Sequence, residues 1–389
     1  MHRFKRICVP CATKTLKLSV LVTSRMSAAL VTCPSSLGAP ALGHVRKLAS
    51  PASRTKHPPP ARRVHKATIL VMSMPDKDLF NLLSDVLPKS WEQVWVSTEA
   101  DSASLRSSNR SDPIVLVWNT FRAPSSAALQ ATWVAVGSRV KWIQAWASGV
   151  ESLLPLIQQV DAGGNVPITN LRGAFSSTLA EWTMTAMLYF NKQLPRVVGN
   201  QKTTTWDSVA MNELRGRTVG FVGFGSIAEA TAKLCRAFGM RSLAVRRTTV
   251  RSAFAQTVSV EQLFAESDFV VCSLPATSDT YNFCSATLFS TMKSSAVFVS
   301  IGRGSAVDED ALIEALQEKR IAGAALDVFA IEPLPKSSPL WSLENVLLTR
   351  HSPKGCAFQQ NAEQVFKKHL DNFKSGQPFT KTVDRNSGY

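Results

Sequence analysis

Three side chains late in the chain, Arg303, Glu332 and His351, are of the types that bind and protonate a carbonyl acid. Arg303 stands between two glycines, Gly302 and Gly304, directly after the apolar run 297–300. A guanidinium at the C-terminal edge of a strand can hold a carboxylate through two hydrogen bonds and polarise the neighbouring carbonyl. Glu332 precedes Pro333, and His351 ends the run 346–351. Alone, each reads as a loop or structural residue. As a pair they make chemical sense, because a carboxylate beside an imidazole favours its charged form. A charged imidazole can give a proton to a carbonyl oxygen.

Positioning these groups requires a scaffold, and a glycine-rich turn upstream supplies its signature. Gly223-Phe224-Gly225-Ser226-Ile227-Ala228 follows the apolar run 218–222 and precedes helical spacing at Ile227, Ala230, Leu234 and Phe238. Strand, Gly-x-Gly turn and helix make the phosphate-binding corner of a dinucleotide fold. Its glycines allow a tight turn and a close approach to a pyrophosphate, which rests on the helix N-terminus. Gly223, Gly225, Ser226 and Ile227 are the candidates there. An NAD enzyme places an acid about 20 residues further on to bind the ribose 2′-hydroxyl. Here Arg246-Arg247-Thr248 stands at that point, 21 residues after Gly225 in the case of Arg246. Two guanidiniums and no acid suit a 2′-phosphate. NADP(H) is therefore the preferred coenzyme expected, with NAD(H) still open.

Strand and helix signals alternate along the chain. Runs at 67–75, 94–96, 114–118 and 141–145 read as strands of a first sheet, and 76–87 has helical spacing with Asp76 placed to cap it. A long helix over 177–191 crosses to a second sheet with strands at 218–222, 242–245, 269–273, 297–300, 323–327 and 346–349. A last helix near 355–375 returns to the first part. The expectation is an α/β fold with two open, doubly wound parallel-sheet domains. A Rossmann-type nucleotide domain, 174–353, is inserted in a flavodoxin-like substrate domain made of 67–173 and 354–389.

The net charge of +16 over 389 residues suggests an acidic partner, but its distribution argues otherwise. Residues 1–66 hold 13 of the 44 basic residues and none of the 28 acidic ones, which leaves 31 basic against 28 acidic for the rest. The basic character belongs to a leader, and neither a nucleic-acid nor a membrane partner is expected. That leader is rich in Arg, Lys, Ser, Ala and Pro, and basic residues interrupt its apolar run. It reads as a transit segment for the mitochondrion or another organelle, with a disordered extension and a cytoplasmic protein as the alternative. The Pro-rich stretch 56–63 marks its boundary. Cys8 and Cys11 form a Cys-x-x-Cys with no second ligand pair, so no metal site is expected. Cys235, Cys272 and Cys284 sit in apolar runs and read as core residues.

The order of glycine corner, Gly302-Arg303-Gly304, Leu326-Asp327-Val328-Phe329, Glu332-Pro333-Leu334-Pro335 and strand-borne His351 resembles the D-isomer-specific 2-hydroxyacid dehydrogenases. The 246–248 segment looks most like their NADPH-preferring glyoxylate and hydroxypyruvate reductases. The likeness is clear over roughly 140–355 and weaker before it. It implies that Arg303 binds the carboxylate and carbonyl, that His351 is the acid and base, and that Glu332 is its partner. It further implies that Asp327 faces the nicotinamide carboxamide and that Leu274 and Pro275 lie beside the coenzyme. Backbone amides of Ser148, Gly149 and Val150 would hold the substrate carboxylate. Residues 188–206 match the helix and arm through which the family forms dimers. The chain departs from the family pattern at Arg350, where Pro is usual, at 352–355, and at Ser300 and Gly302.

An oxidoreductase reducing a small 2-keto acid, glyoxylate or hydroxypyruvate, to the D-2-hydroxy acid is the reading these residues support, acting as a homodimer. A non-catalytic, nucleotide-sensing protein on the same fold is the alternative. Glu332 argues against the formate dehydrogenase branch, which places Gln there. Trp118, Arg122 and Trp146 are first-domain candidates for substrate selection.

Overall fold

Uninterrupted apolar runs, rather than alternating ones, suit parallel strands covered on both faces. The computed structural model, which describes residues 63–105, 111–247, 252–351 and 358–389, has this arrangement twice within one unit, Pro58–Tyr389. The first sheet is built from β1 (Thr68–Met72), α1 (Lys77–Val86), β2 (Glu92–Val96), α2 (Glu99–Ser104) and β3 (Ile114–Trp118). It continues through α3 (Ser126–Val136), β4 (Val140–Ala145), α4 (Leu154–Val160) and β5 (Ile168–Thr169). Its strand order is β2-β1-β3-β4-β5, and every pair is parallel. That is the flavodoxin order.

Two helices, α5 (Ser176–Asn191) and α6 (Leu194–Lys202), lead to the second sheet. This comprises β6 (Thr218–Val222), α7 (Ser226–Ala237), β7 (Arg241–Val245), β8 (Gln256–Thr257), α8 (Val260–Glu266) and β9 (Phe269–Cys272). After these come α9 (Ala286–Thr291), β10 (Val297–Ser300), α10 (Glu309–Gln317), β11 (Gly323–Leu326) and β12 (Val346–Leu348). The order is β12-β11-β10-β9-β6-β7-β8, again parallel throughout. The reversal between β6 and β9 is the switch point at which dinucleotide folds bind their ligand.

Burial explains the strand choice. β1, β3, β6, β9, β10 and β11 are buried at every position. Helices begin where capping residues stand: Asp76, Ser259 and Asp308 each accept a hydrogen bond from the third residue beyond, satisfying an orphan amide. α5 packs its Met184, Ala186 and Met187 under the second sheet. α11 (Phe358–Ser375) packs Ala362, Phe366, Leu370 and Phe373 under the first, against Trp91 and Trp142. Phe366 stacks on Trp142 with ring centroids 5.7 Å apart.

The second sheet has seven strands where the sequence suggests six. β8, like β5 in the first sheet, is a two-residue edge strand. Two residues carry no periodicity, so backbone pairing alone defines them.

Candidate active site

Parallel strands of one sheet all end at the same edge, and the candidate residues leave that edge in order. His351 follows β12; Asp327 and Glu332 follow β11; Arg303 follows β10; Leu274 and Pro275 follow β9; Gly223 and Gly225 follow β6; Arg246 and Arg247 follow β7. With strands about 4.8 Å apart, β7 to β10 spans roughly 14 Å. The edge is thus a linear site, basic at one end and carrying a proton-transfer pair at the other. Thr248 and residues 352–354 lie outside the described residues, as do Cys8 and Cys11.

At the glycine corner, Gly223 has φ +86°, a conformation side chains disfavour. A Cβ there would stand 3.0 Å from Leu274 Cδ2. The hydroxyl of Ser273 donates to the Gly223 carbonyl (2.9 Å) and the Gly223 amide donates to the Val245 carbonyl (3.0 Å), which pins the turn between neighbouring strands. Gly225 precedes α7, and no side chain caps that helix. The Ser226 and Ile227 amides therefore open α7 as a cradle that suits a pyrophosphate. A cation is also present: the Arg172 guanidinium, on the loop between β5 and α5, lies 3.8 Å from where a Cβ on Gly225 would be. These residues fit a dinucleotide.

At the other end, Glu332 uses both carboxylate oxygens. Oε1 accepts from the Phe329 amide (3.1 Å) and Oε2 pairs with His351 Nδ1 (2.9 Å). A carboxylate accepts only, so Nδ1 carries the hydrogen and Nε2 is left to face outward. His351 itself has φ +41°, a strained conformation for a non-glycine residue. Its amide donates to the Asp327 carbonyl (2.7 Å). Asp327 is buried, and its carboxylate accepts from the Thr349 hydroxyl. The Glu332–Pro333 bond is cis.

Arg303 crosses from the second sheet to the first. Its Nε donates to Glu151 Oε1 at 2.8 Å, and Nη1 donates to the Gly302 carbonyl at 3.0 Å. A Cβ on Gly149 would collide with both the Arg303 guanidinium and the Glu151 carboxylate. The structure thus brings Arg303 onto the 148–150 loop. That loop is held from below: Ser148 Oγ donates to the Leu171 carbonyl (3.1 Å), and Asn170 Nδ2 donates to the Ser148 carbonyl (2.7 Å). Val150 is buried in the first domain's core, so only its backbone faces the loop.

Of the three first-domain candidates for substrate selection, two are buried and one is tied to a neighbouring loop. Trp118 is buried within the first core, and Trp146 packs edge-on against Phe366 at 5.6 Å. Both are held there by the apolar area they bury. Arg122 is tied to the Pro75 carbonyl (3.1 Å) and to Asp76 (3.6 Å), bridging the ends of β1 and β3. Conversely, Glu151 and Arg172 carry charge into the site although motif reasoning passes over both. Glu151 adjoins the substrate loop in sequence and is legible from that. Nothing local marks Arg172. Cys235, Cys272 and Cys284 are buried core residues as expected, and burial pushes the Cys235 thiol up to about 12. Among the described residues no cluster of His, Cys, Asp and Glu could hold a metal. None of their helices is long and apolar enough to cross a membrane.

Comparison with known proteins agrees with this geometry. The sequence profile of the D-isomer specific 2-hydroxyacid dehydrogenase NAD binding domain matches residues 184–352. Glyoxylate reductase of Korarchaeum cryptofilum is 36% identical over 195 residues, 48% of this chain and 59% of that protein. Glyoxylate reductase/hydroxypyruvate reductase of Mus musculus is 32% identical over 227 residues, 56% of this chain and 68% of that one. The matched segment thus spans about three fifths to two thirds of these relatives' length. The solved D-isomer specific 2-hydroxyacid dehydrogenase of Xanthobacter autotrophicus, in complex with NADPH and MES, superposes with a TM-score of 0.69 at 25% identity, covering 83% of this chain and 99% of that one. This chain belongs to the D-isomer specific 2-hydroxyacid dehydrogenase family.

Proposed function

We propose that the protein is an NADP(H)-dependent reductase of a small 2-keto acid, glyoxylate or hydroxypyruvate, yielding the D-2-hydroxy acid. The observation that carries this reading is the order of groups along one sheet edge. A carboxylate-binding arginine and a His–Glu pair stand at one end, and Arg246 and Arg247 stand at the other. Bound nicotinamide supplies the hydride to the substrate's carbonyl carbon. Arg303 and the Gly149 amide hold the substrate carboxylate and turn its carbonyl toward His351. His351 delivers a proton from Nε2 to the carbonyl oxygen, and Glu332 fixes the ring's orientation through its contact with Nδ1. The α7 amides and Arg172 offset the pyrophosphate charge. The relatives named glyoxylate reductase support the substrate class.

Two lesser parts of the reading follow. Trp206 is fully exposed, and Val198 and Met211 are half-exposed, on and just beyond α6. Such apolar surface supports association of two copies through this arm. The basic leader supports delivery to the mitochondrion or another organelle. A fluorescent protein carrying residues 1–66 should co-localise with an organelle, and a diffuse distribution would discard that idea.

The test is steady-state oxidation of NADPH and NADH by the full chain with glyoxylate, hydroxypyruvate, pyruvate and longer 2-keto acids. Turnover with NADPH and a two- or three-carbon keto acid is expected. Preference for NADH would remove the coenzyme assignment and spare the mechanism. Binding of either coenzyme without turnover would remove the enzyme reading.

A further inference from the structure

Residues 384–389 leave the first domain and reach the basic end of the site. They are anchored in the first domain by the Val383 amide on the Ile168 carbonyl (2.8 Å). Arg385 adds an ion pair with Asp161 (2.6 Å) and a hydrogen bond to the Val166 carbonyl (2.6 Å). The segment folds on itself: the Asp384 carboxylate accepts from the Asn386 amide (2.8 Å) and the Ser387 amide (3.3 Å). The Asp384 amide donates to the Tyr389 carbonyl (3.2 Å). This closed turn presents the Tyr389 ring under the Arg247 guanidinium, 5.5 Å from Cζ to the ring centroid. The turn also faces residues 276–279, which directly follow Leu274 and Pro275. With Glu151 and α4 it borders an open cleft of about 590 Å3, within the range of small-ligand sites.

We propose that residues 384–389 form a wall of the coenzyme's adenosine site, and that Tyr389 is a positioning residue that holds Arg247 for a 2′-phosphate. The inference rests on the coenzyme reading above. Its physical basis is the cation–π contact between the two side chains. A ring within about 6 Å of a guanidinium restrains it without taking a hydrogen bond from its N–H donors. Those are the donors that a phosphate takes in pairs. Among the described residues no acidic side chain forms an ion pair with Arg247. Asp384 is the carboxylate in electrostatic reach. Its pKa is lowered mainly by the Asn386 and Ser387 amides and only lastly by Arg247.

The test is equilibrium binding of NADP+ and NAD+ to the full chain, read by calorimetry, for wild type, Tyr389→Ala, Tyr389→Phe and Arg247→Ala. Tyr389→Ala should weaken NADP+ about threefold to tenfold and NAD+ less than twofold. Tyr389→Phe, which keeps the ring, should behave as wild type, and Arg247→Ala should lose at least as much NADP+ affinity as Tyr389→Ala. Equal loss for both coenzymes, or no loss, in Tyr389→Ala overturns the proposal while the wild-type preference for NADP+ stands. A wild type that does not prefer NADP+ instead removes the coenzyme reading, and the proposal with it.

Discussion

Arg303 and Glu151 form an ion pair across the two domains, with Nε 2.8 Å from Oε1. The Glu151 carboxylate therefore takes the arginine donor that a substrate carboxylate needs, beside the Gly149 backbone. The pair is partly exposed, with side chains 30% and 42% accessible. Exposed pairs contribute about 0.2–1 kcal/mol, so substrate can displace Glu151 at a modest energetic cost. Replacing Glu151 with Gln should lower KM for the keto acid by up to about fivefold and leave kcat within about twofold. An increase in KM would show instead that Glu151 helps to orient Arg303 for substrate.

The His351–Glu332 pair should separate chemistry from binding. His351→Ala removes the proton donor, and general acid catalysis contributes about 10²- to 10⁴-fold. kcat should fall by that order while coenzyme affinity changes little. Glu332→Gln keeps an acceptor for the Phe329 amide but removes the charge beside Nδ1. Its kcat should fall less than in His351→Ala, by up to about fivefold, since a partly exposed pair contributes about 0.2–1 kcal/mol. Parallel loss of coenzyme binding and turnover in either variant would refute these roles.

Two glycines give a matched pair of opposite sign. A Cβ on Gly304 would collide with the Phe329 carbonyl group and meet the Ala330 amide nitrogen at 2.5 Å. That contact sets the Arg303 loop against the Glu332 loop. Gly304→Ala should lower stability by about 1–3 kcal/mol and reduce kcat/KM sharply, because it parts the two catalytic loops. Gly199, within α6, has open space where a methyl group would stand, with nothing within 4 Å. Gly199→Ala should raise stability by about 0.5–1 kcal/mol through helix propensity. Chemical denaturation of both variants checks the contrast.

How far the sequence reveals this molecule follows from the range of the interactions involved. Strands such as β6 and β10 match the sequence reading residue for residue, because their burial on both faces writes itself as an apolar run. The order of functional residues along the sheet edge follows from motif order and the dinucleotide topology. The burial of Trp118 and Trp146 is not legible, because an aromatic at a strand end looks the same whether it faces a cleft or the core. Glu151 against Arg303 and Tyr389 against Arg247 are contacts between residues more than 140 positions apart. No local pattern encodes such pairs. They appear only when the two sheets stand together.

Acid stability depends on a buried histidine of the first domain. His369 on α11 is 6% exposed and its Nδ1 bonds Gln144 Oε1 at 3.0 Å. Gln144 Oε1 also accepts from Thr169 Oγ1 (2.7 Å), which accepts in turn from Trp142 Nε1 (2.7 Å). Because Gln144 Oε1 only accepts, Nδ1 carries the hydrogen of a neutral ring. Burial, with a lesser contribution from Lys368, lowers the His369 pKa to about 4 from the ordinary 6.5. The folded state thus resists a proton that the unfolded chain takes up below pH 6.5. The stability this provides is complete above that pH and is lost progressively as pH falls toward 4, below which the loss levels off. A shift of that size corresponds to about 3 kcal/mol. His369→Gln retains an amide donor for Gln144 and cannot titrate. Between pH 7 and 4.5 its urea midpoint should fall much less than that of wild type. Equal slopes for the two proteins would mean that His369 does not link α11 to acid unfolding.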